Sequence, residues 1–210
     1  MTALAITSIT NFLLAGEVLF LAGMSVRAPK ARFSAAWFFA GVLLLLGLSA
    51  LAGGIDHGFI EPARLPRYFI QRLTWILLAS MTFCLFMTTA RQFFPARVQR
   101  ILIYAALIQF AGGSLAALLV DSFLVVVVNY APVLIIFLGM NFLGLRRGDG
   151  SVDMIVGLLS LAGASCIQAL NVDVFSPLDH NGLYHVISMV GVVFLYWGGR
   201  RLSPAPRHLI

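Results

Sequence analysis

From Phe33 to Ile55 the chain carries no charged residue. No other feature restricts the fold so strongly. Wound as a helix at about 1.5 Å per residue, such a run matches the roughly 30 Å hydrocarbon core of a bilayer. It lacks the polar face that a surface helix of a soluble domain keeps toward water. The rest of the chain repeats the pattern. Of 210 residues, 60% are hydrophobic and only 10% charged, and the mean hydropathy is +0.97. A soluble domain carries about 25% charged residues. So few charges cannot cover a water-facing globule, and most of the surface must meet lipid.

Seven segments reach the spanning length of about 20 mainly apolar residues: 4–25, 34–54, 70–90, 101–120, 122–144, 153–172 and 178–198. The fourth and fifth are separated only by Asp121-Ser122. No basic residue precedes the first segment, while Arg27, Lys30 and Arg32 follow it. That fits an uncleaved span with its N-terminus outside rather than a signal peptide. Basic residues collect on the cytoplasmic side of membrane proteins. With the N-terminus outside, the inner loops and tail hold Arg27, Lys30, Arg32, Arg91, Arg97, Arg100, Arg146, Arg147, Arg200, Arg201 and Arg207, which is 11 of the 14 basic residues. Arg64, Arg67 and Arg72 fall in the longest outer loop, about 55–69, and at the start of the third span. Removing a span would scramble this alternation. The expected fold is therefore an all-α, seven-helix transmembrane bundle, N-terminus outside and C-terminus inside, forming a single domain over 1–210. The net charge of +6 is parcelled among loops, so nucleic acid is not an expected partner. Membrane lipid is, together with a protein partner or a second copy within the bilayer. A bacterial inner membrane is the expected location.

This topology brings two sequence oddities to one side of the membrane. The second span ends in Gly-Gly-Ile-Asp56-His57-Gly-Phe, and the seventh opens with Pro-Leu-Asp179-His180-Asn181-Gly-Leu-Tyr-His185. Ionisable groups at membrane depth are costly and mark functional sites. Ser176-Pro177-Leu178-Asp179 reads as a helix start, with a capping residue, proline at the first position and an acid at the third. From there Asn181 and His185 share a face, and His185 lies about 12 Å below the start. His180 is rotated about 140° from His185. The candidate site therefore contains His57 and His185, with His180 as a further member. Asp56 and Asp179 are candidate bases, or simply capping and solvated acids. His208, in the tail, lies on the other side.

Seven spans, a histidine beside an acid at the end of the second and histidines opening the seventh resemble one superfamily, which includes the alkaline ceramidases and the progestin and adipoQ receptors. Its members hold zinc between a histidine ending the second span and an H-x-x-x-H pair opening the seventh. The resemblance implies His57 and His185 as zinc ligands, with His180 or a carboxylate completing the set, and hydrolysis of a lipid amide. A nearby Asp56 or Asp179 would take a proton from the zinc-bound water. The chain departs from the pattern at three places. Asn181 stands four residues before His185, Gly53 stands where the family has serine, and no acid lies between Gln71 and Ala90. The alternative is a non-catalytic lipid-binding, receptor-like or accessory subunit. A third option is haem ligated by His57 and His185.

Glu17 lies midway along the first span, with Asn11 two turns closer to the outside. Asn129, Gln109 and Gln168 are expected to make interhelical hydrogen bonds. Cys84 and Cys166 lie inside apolar runs and read as small hydrophobes. Lys30, the only lysine, lies in a loop, which excludes a retinal Schiff base, and no arginine ladder runs through a span as a voltage sensor requires.

Overall fold

The computed structural model describes residues 3–28, 30–146, 148, 151–173 and 178–202. Its helices are α1 (Ala3–Arg27), α2 (Ala35–Ile55), α3 (Tyr68–Phe93), α4 (Ala96–Leu119), α5 (Leu124–Leu145), α6 (Val152–Ala169) and α7 (His180–Arg200). All seven are long and apolar enough to cross a membrane. Helices suit that solvent because every interior backbone amide is bonded within its own segment. The expected spans are recovered in number and order, with ends shifted by a few residues.

Two shifts bear on the site. First, α2 does not stop at residue 54. It runs on through a π turn, Asp56–Ile60, whose defining bond is donated by Glu61 N to Asp56 O, five residues back, at 2.9 Å. A π turn holds one residue more than an α turn and is common at functional sites. The expected loop of about 55–69 shrinks to 61–67, turning through Arg64 at φ 55°. Second, the expected helix start at Ser176-Pro177 lies outside the described residues, and α7 is first seen as helix at His180. Its N-cap is Asp179, whose Oδ1 accepts from Gly182 N at 2.8 Å. This corrects the placing of Asp179 at the third helical position. His185 then lies about 7.5 Å, not 12 Å, below the helix start.

The main core draws on α1, α2, α3, α5, α6 and α7, through residues such as Val18, Leu43, Leu85, Phe137, Met154 and Val192. Helix α4 stands at the periphery, joined mainly to α3. At the α6–α7 crossing a Cβ on Gly157 would meet Leu195 Cδ2 at 2.7 Å and Gly191 O at 2.8 Å. The close approach exists because both residues are glycine. The expected amide bridges form: Gln109 Nε2 donates to Asn129 Oδ1 (2.6 Å) and Gln168 Nε2 to Asn181 Oδ1 (3.0 Å). Glu17 is half-buried and has no partner among the described residues.

The bundle has two unlike ends. Arg27, Lys30, Arg32, Arg91, Arg97, Arg100, Arg146, Arg200 and Arg201 sit at one, with Asp153 as the described acid among them, held by Arg201 at 2.7 Å. The other end carries His57, His180 and His185 together with Asp56, Glu61, Asp121, Asp173 and Asp179. There Arg72 is clamped between the rings of Tyr68 and Trp75 (4.8 and 4.4 Å) and donates to Val120 O and Asp121 Oδ1 (3.1 and 3.0 Å), tying α3 to the α4–α5 hairpin.

Candidate functional site at the histidine end

Three elements build this site: the first turns of α1, the π turn after α2, and the first turns of α7. Ser8 Oγ donates to Gly54 O at 3.0 Å, and Gly58 leaves no room for a Cβ beside Ser8. Glycine at 54 and 58 therefore lets the π turn lie directly on α1. Two residues along α1, Thr10 meets α7. Its Oγ1 lies 2.9 Å from His185 Nδ1, 2.9 Å from Ile6 O and 3.1 Å from Thr7 O. A hydroxyl has one proton to give. Thr74, Ser80, Thr82, Thr88, Thr89 and Ser160 all give theirs to the carbonyl four residues back. The same choice at Thr10, toward Ile6 O, makes its oxygen an acceptor for His185 Nδ1–H. The network thus assigns the tautomer and leaves His185 Nε2 with its lone pair.

His57 is oriented by a carboxylate. Its Nδ1 lies 2.7 Å from Glu61 Oε2, one helical turn on, which directs Nε2 away from Glu61. Glu61 Oε1 is paired with Arg67 at 2.8 Å. Arg67 also grips Asp56 in a two-pronged contact, Nε to Oδ1 at 2.9 Å and Nη2 to Oδ2 at 2.7 Å. Such bidentate pairs fix geometry as well as charge. Asp56 is only 6% exposed, so this pairing answers its charge. The hydrogen bond to Asp56, backed by the charges of Asp56 and Glu61, holds the Arg67 guanidinium above its ordinary pKa.

His180 belongs to a separate cluster on the α6 side of α7. Its backbone N and its Nδ1 both donate to Asp173 Oδ1, at 2.7 and 3.0 Å. Its Nε2 accepts from Asn181 Nδ2 at 3.2 Å, and Asn181 is in turn bound by Gln168. The bonds from His180 hold the exposed Asp173 carboxyl below its ordinary pKa.

The expected trio of His57, His180 and His185 therefore does not come together. Both ring nitrogens of His180 are engaged, while His185 is turned to α1. His57 and Asp179 do stand within electrostatic reach of His185. Among the described residues, no group of three or more His, Cys, Asp or Glu side chains is arranged to hold a metal. The acids expected as bases have other attachments: Asp56 is held by Arg67, and Asp179 Oδ1 caps α7. A hydrolytic zinc takes three protein ligands and an open water position. Two imidazoles whose Nε2 atoms have no partner among the described residues meet part of that requirement, and no third ligand among the described residues joins them.

Sequence reasoning missed Glu61, Arg67, Thr10 and Asp173. The four-residue spacing of His57 and Glu61 was a usable signal. The spacing of Arg67 from Asp56 carries none, because the contact is made by a turn.

Below the polar residues a cavity of about 120 Å³ lies between α2, α3, α5, α6 and α7. Its walls are mainly apolar, among them Leu46, Met81, Leu134 and Leu161, and toward the histidine end they carry Tyr130, Ser165, Gln168 and Tyr184. Gln168 leads to the Asn181–His180–Asp173 chain, and the Tyr184 ring lies 5.1 Å from that of His185, edge to face.

Residues 6–204 match the model of a family of unknown function, DUF6962, and the chain belongs to that family. No curated protein and no solved structure matches it.

Proposed function

We propose that this member of a family of unknown function is a multi-pass membrane protein, N-terminus outside and C-terminus inside, that binds a lipid without hydrolysing it. The reading makes it a receptor-like or accessory subunit, in a bacterial inner membrane. The observation that carries it is the central cavity: mainly apolar along its walls, with its polar lining residues, Tyr130, Ser165, Gln168 and Tyr184, toward the histidine end. That division suits an amphipathic molecule, with its chain among Leu46, Met81 and Leu161 and its head group near Gln168 and the first turn of α7. The saturated acids support the same reading, since each described carboxylate at this end already has a partner and none is free to serve as a base.

A second reading keeps the resemblance to the alkaline ceramidases. It is favoured by the anchoring of both imidazoles through Nδ1, to Glu61 and to Thr10, which is how proteins orient metal-binding histidines. Under this reading His57 and His185 would hold zinc, and zinc would supply an acidified water.

One experiment separates the two. The purified protein is titrated with a spin-labelled N-acyl lipid, then assayed for zinc content and for amide cleavage. The lipid-binding reading expects saturable binding, no cleavage, and roughly tenfold weaker binding for a cavity-filling Leu161→Phe variant, as overpacking by 1–3 kcal/mol implies. One zinc per chain, with cleavage that disappears in His57→Ala and His185→Ala, would establish the hydrolase instead.

A further inference from the structure

The arginine end holds a second cavity, independent of the histidine site. It has a volume of about 350 Å³ and lies between the C-terminal part of α1, the N-terminal part of α2 and the C-terminal turn of α7. Two cations line it, Lys30 and Arg200, and its apolar wall includes Met24, Phe39 and Tyr196. Neither cation has an acidic partner among the described residues. Lys30 Nζ donates to the carbonyls of Ser25, in the last turn of α1, and Ala28, just past its end, and Arg200 lies 6.0 Å from the Tyr196 ring. Asp153, the described acid of this end, is taken by Arg201.

The α2 backbone adds to the positive potential. Ala36, in the first turn of α2, lines the cavity, so the positive end of a 21-residue helix faces the same space. Ser34 caps that helix from the α1 side. Burial also lowers the pKa of the Lys30 ammonium, a cost that an anion beside it would relieve.

We propose that this cavity binds the phosphate of an anionic phospholipid, with Lys30 and Arg200 on the phosphate and the apolar wall of Met24, Phe39 and Tyr196 along the first part of the chain. The position argues for a lipid over a soluble anion. Arg200 ends the seventh membrane-spanning segment and Lys30 lies three residues past the first, near the level of a lipid head group, and the apolar wall offers nothing to a free phosphate. Basic residues at this depth attract anionic lipid by about 1 kcal/mol each.

The test uses the full-length protein in vesicles of zwitterionic phospholipid, with or without anionic phospholipid. Retained lipid is read by native mass spectrometry and unfolding temperature by intrinsic fluorescence. The wild type is expected to retain anionic lipid preferentially and to melt higher in its presence. The Lys30→Gln, Arg200→Gln variant should lose about 30-fold of that preference. A control variant, Arg97→Gln, Arg100→Gln, removes two cations from the same end and should keep it. If the double variant does not fold, Lys30→Gln alone serves, with roughly a fivefold loss expected. Equal loss in the control would mean a diffuse field rather than a site. Equal stabilisation of the wild type by inorganic phosphate would assign the cavity to a soluble anion. Either result, or no preference in the wild type, overturns the proposal.

Discussion

At the scale of single residues, Arg67 is the hinge of the histidine end. It satisfies Asp56, which is almost wholly buried, and shares Glu61 with His57. Removing one partner of a buried charge pair leaves the other stranded, which costs more than the pair itself contributes. Arg67→Met is therefore expected to destabilise the protein by about 1.5–3 kcal/mol, the range for hydrogen bonds to charged groups. Asp56→Asn in the same chain should recover most of that loss. Unfolding in mixed micelles measures both, and a double variant no more stable than Arg67→Met would refute the pairing. These partners were poorly legible in the sequence for a physical reason. Asp56, His57 and His185 stand out because a charge or imidazole at the end of an apolar run is conspicuous. What each one bonds to depends on turns and on neighbouring helices. Thr10 looks like any other in-span threonine until α7 is laid beside it.

At the scale of elements, the glycines sort into two kinds. Gly157 and Gly191 sit where α6 and α7 nearly touch; Gly157 has no room for a methyl group, and Gly191 has only a tight fit for one. Gly16, on the outer side of α1, meets nothing within 4 Å. Gly157→Ala is expected to cost about 1–3 kcal/mol by forcing the helices apart. Gly16→Ala is expected to stabilise by up to about 1 kcal/mol through helix propensity. Thermal unfolding in detergent reads both, and matching signs would refute the packing described. The elements were the most legible part of the molecule, since span number and order follow from apolar length alone. Their ends were not. The π turn keeps Asp56 and His57 in a continuing helix where a loop of about 55–69 was expected. The α7 start moved because Asp179 supplies the capping oxygen, which accepts from Gly182 N.

At the scale of the whole molecule, the segregation of charge gives the bundle a direction. Arginine and lysine dominate one end, while acids and histidines gather at the other. Under the proposed topology the positive-inside tendency places the arginine end inside. In a Cys84→Ala, Cys166→Ala background, a cysteine at Arg64 is expected to react with a membrane-impermeant maleimide added to intact cells. One at Arg97 should react only after lysis. The reverse pattern would invert the proposed topology and put the lipid-phosphate cavity on the outer leaflet.

The π turn also has a consequence for how this chain tolerates changes in length. The turn there holds about one residue more than the 3.6 of a regular α-helix. A deletion of one residue within Asp56–Ile60 would let the segment relax into an ordinary helix of nearly unchanged reach. Because the π turn had absorbed that residue, everything after it would keep nearly its present direction about the helix axis, whereas the same deletion in the regular part of α2 would turn it by about 100°. The segment acts as a phase buffer. One residue fewer within it leaves the residues beyond facing nearly the same way.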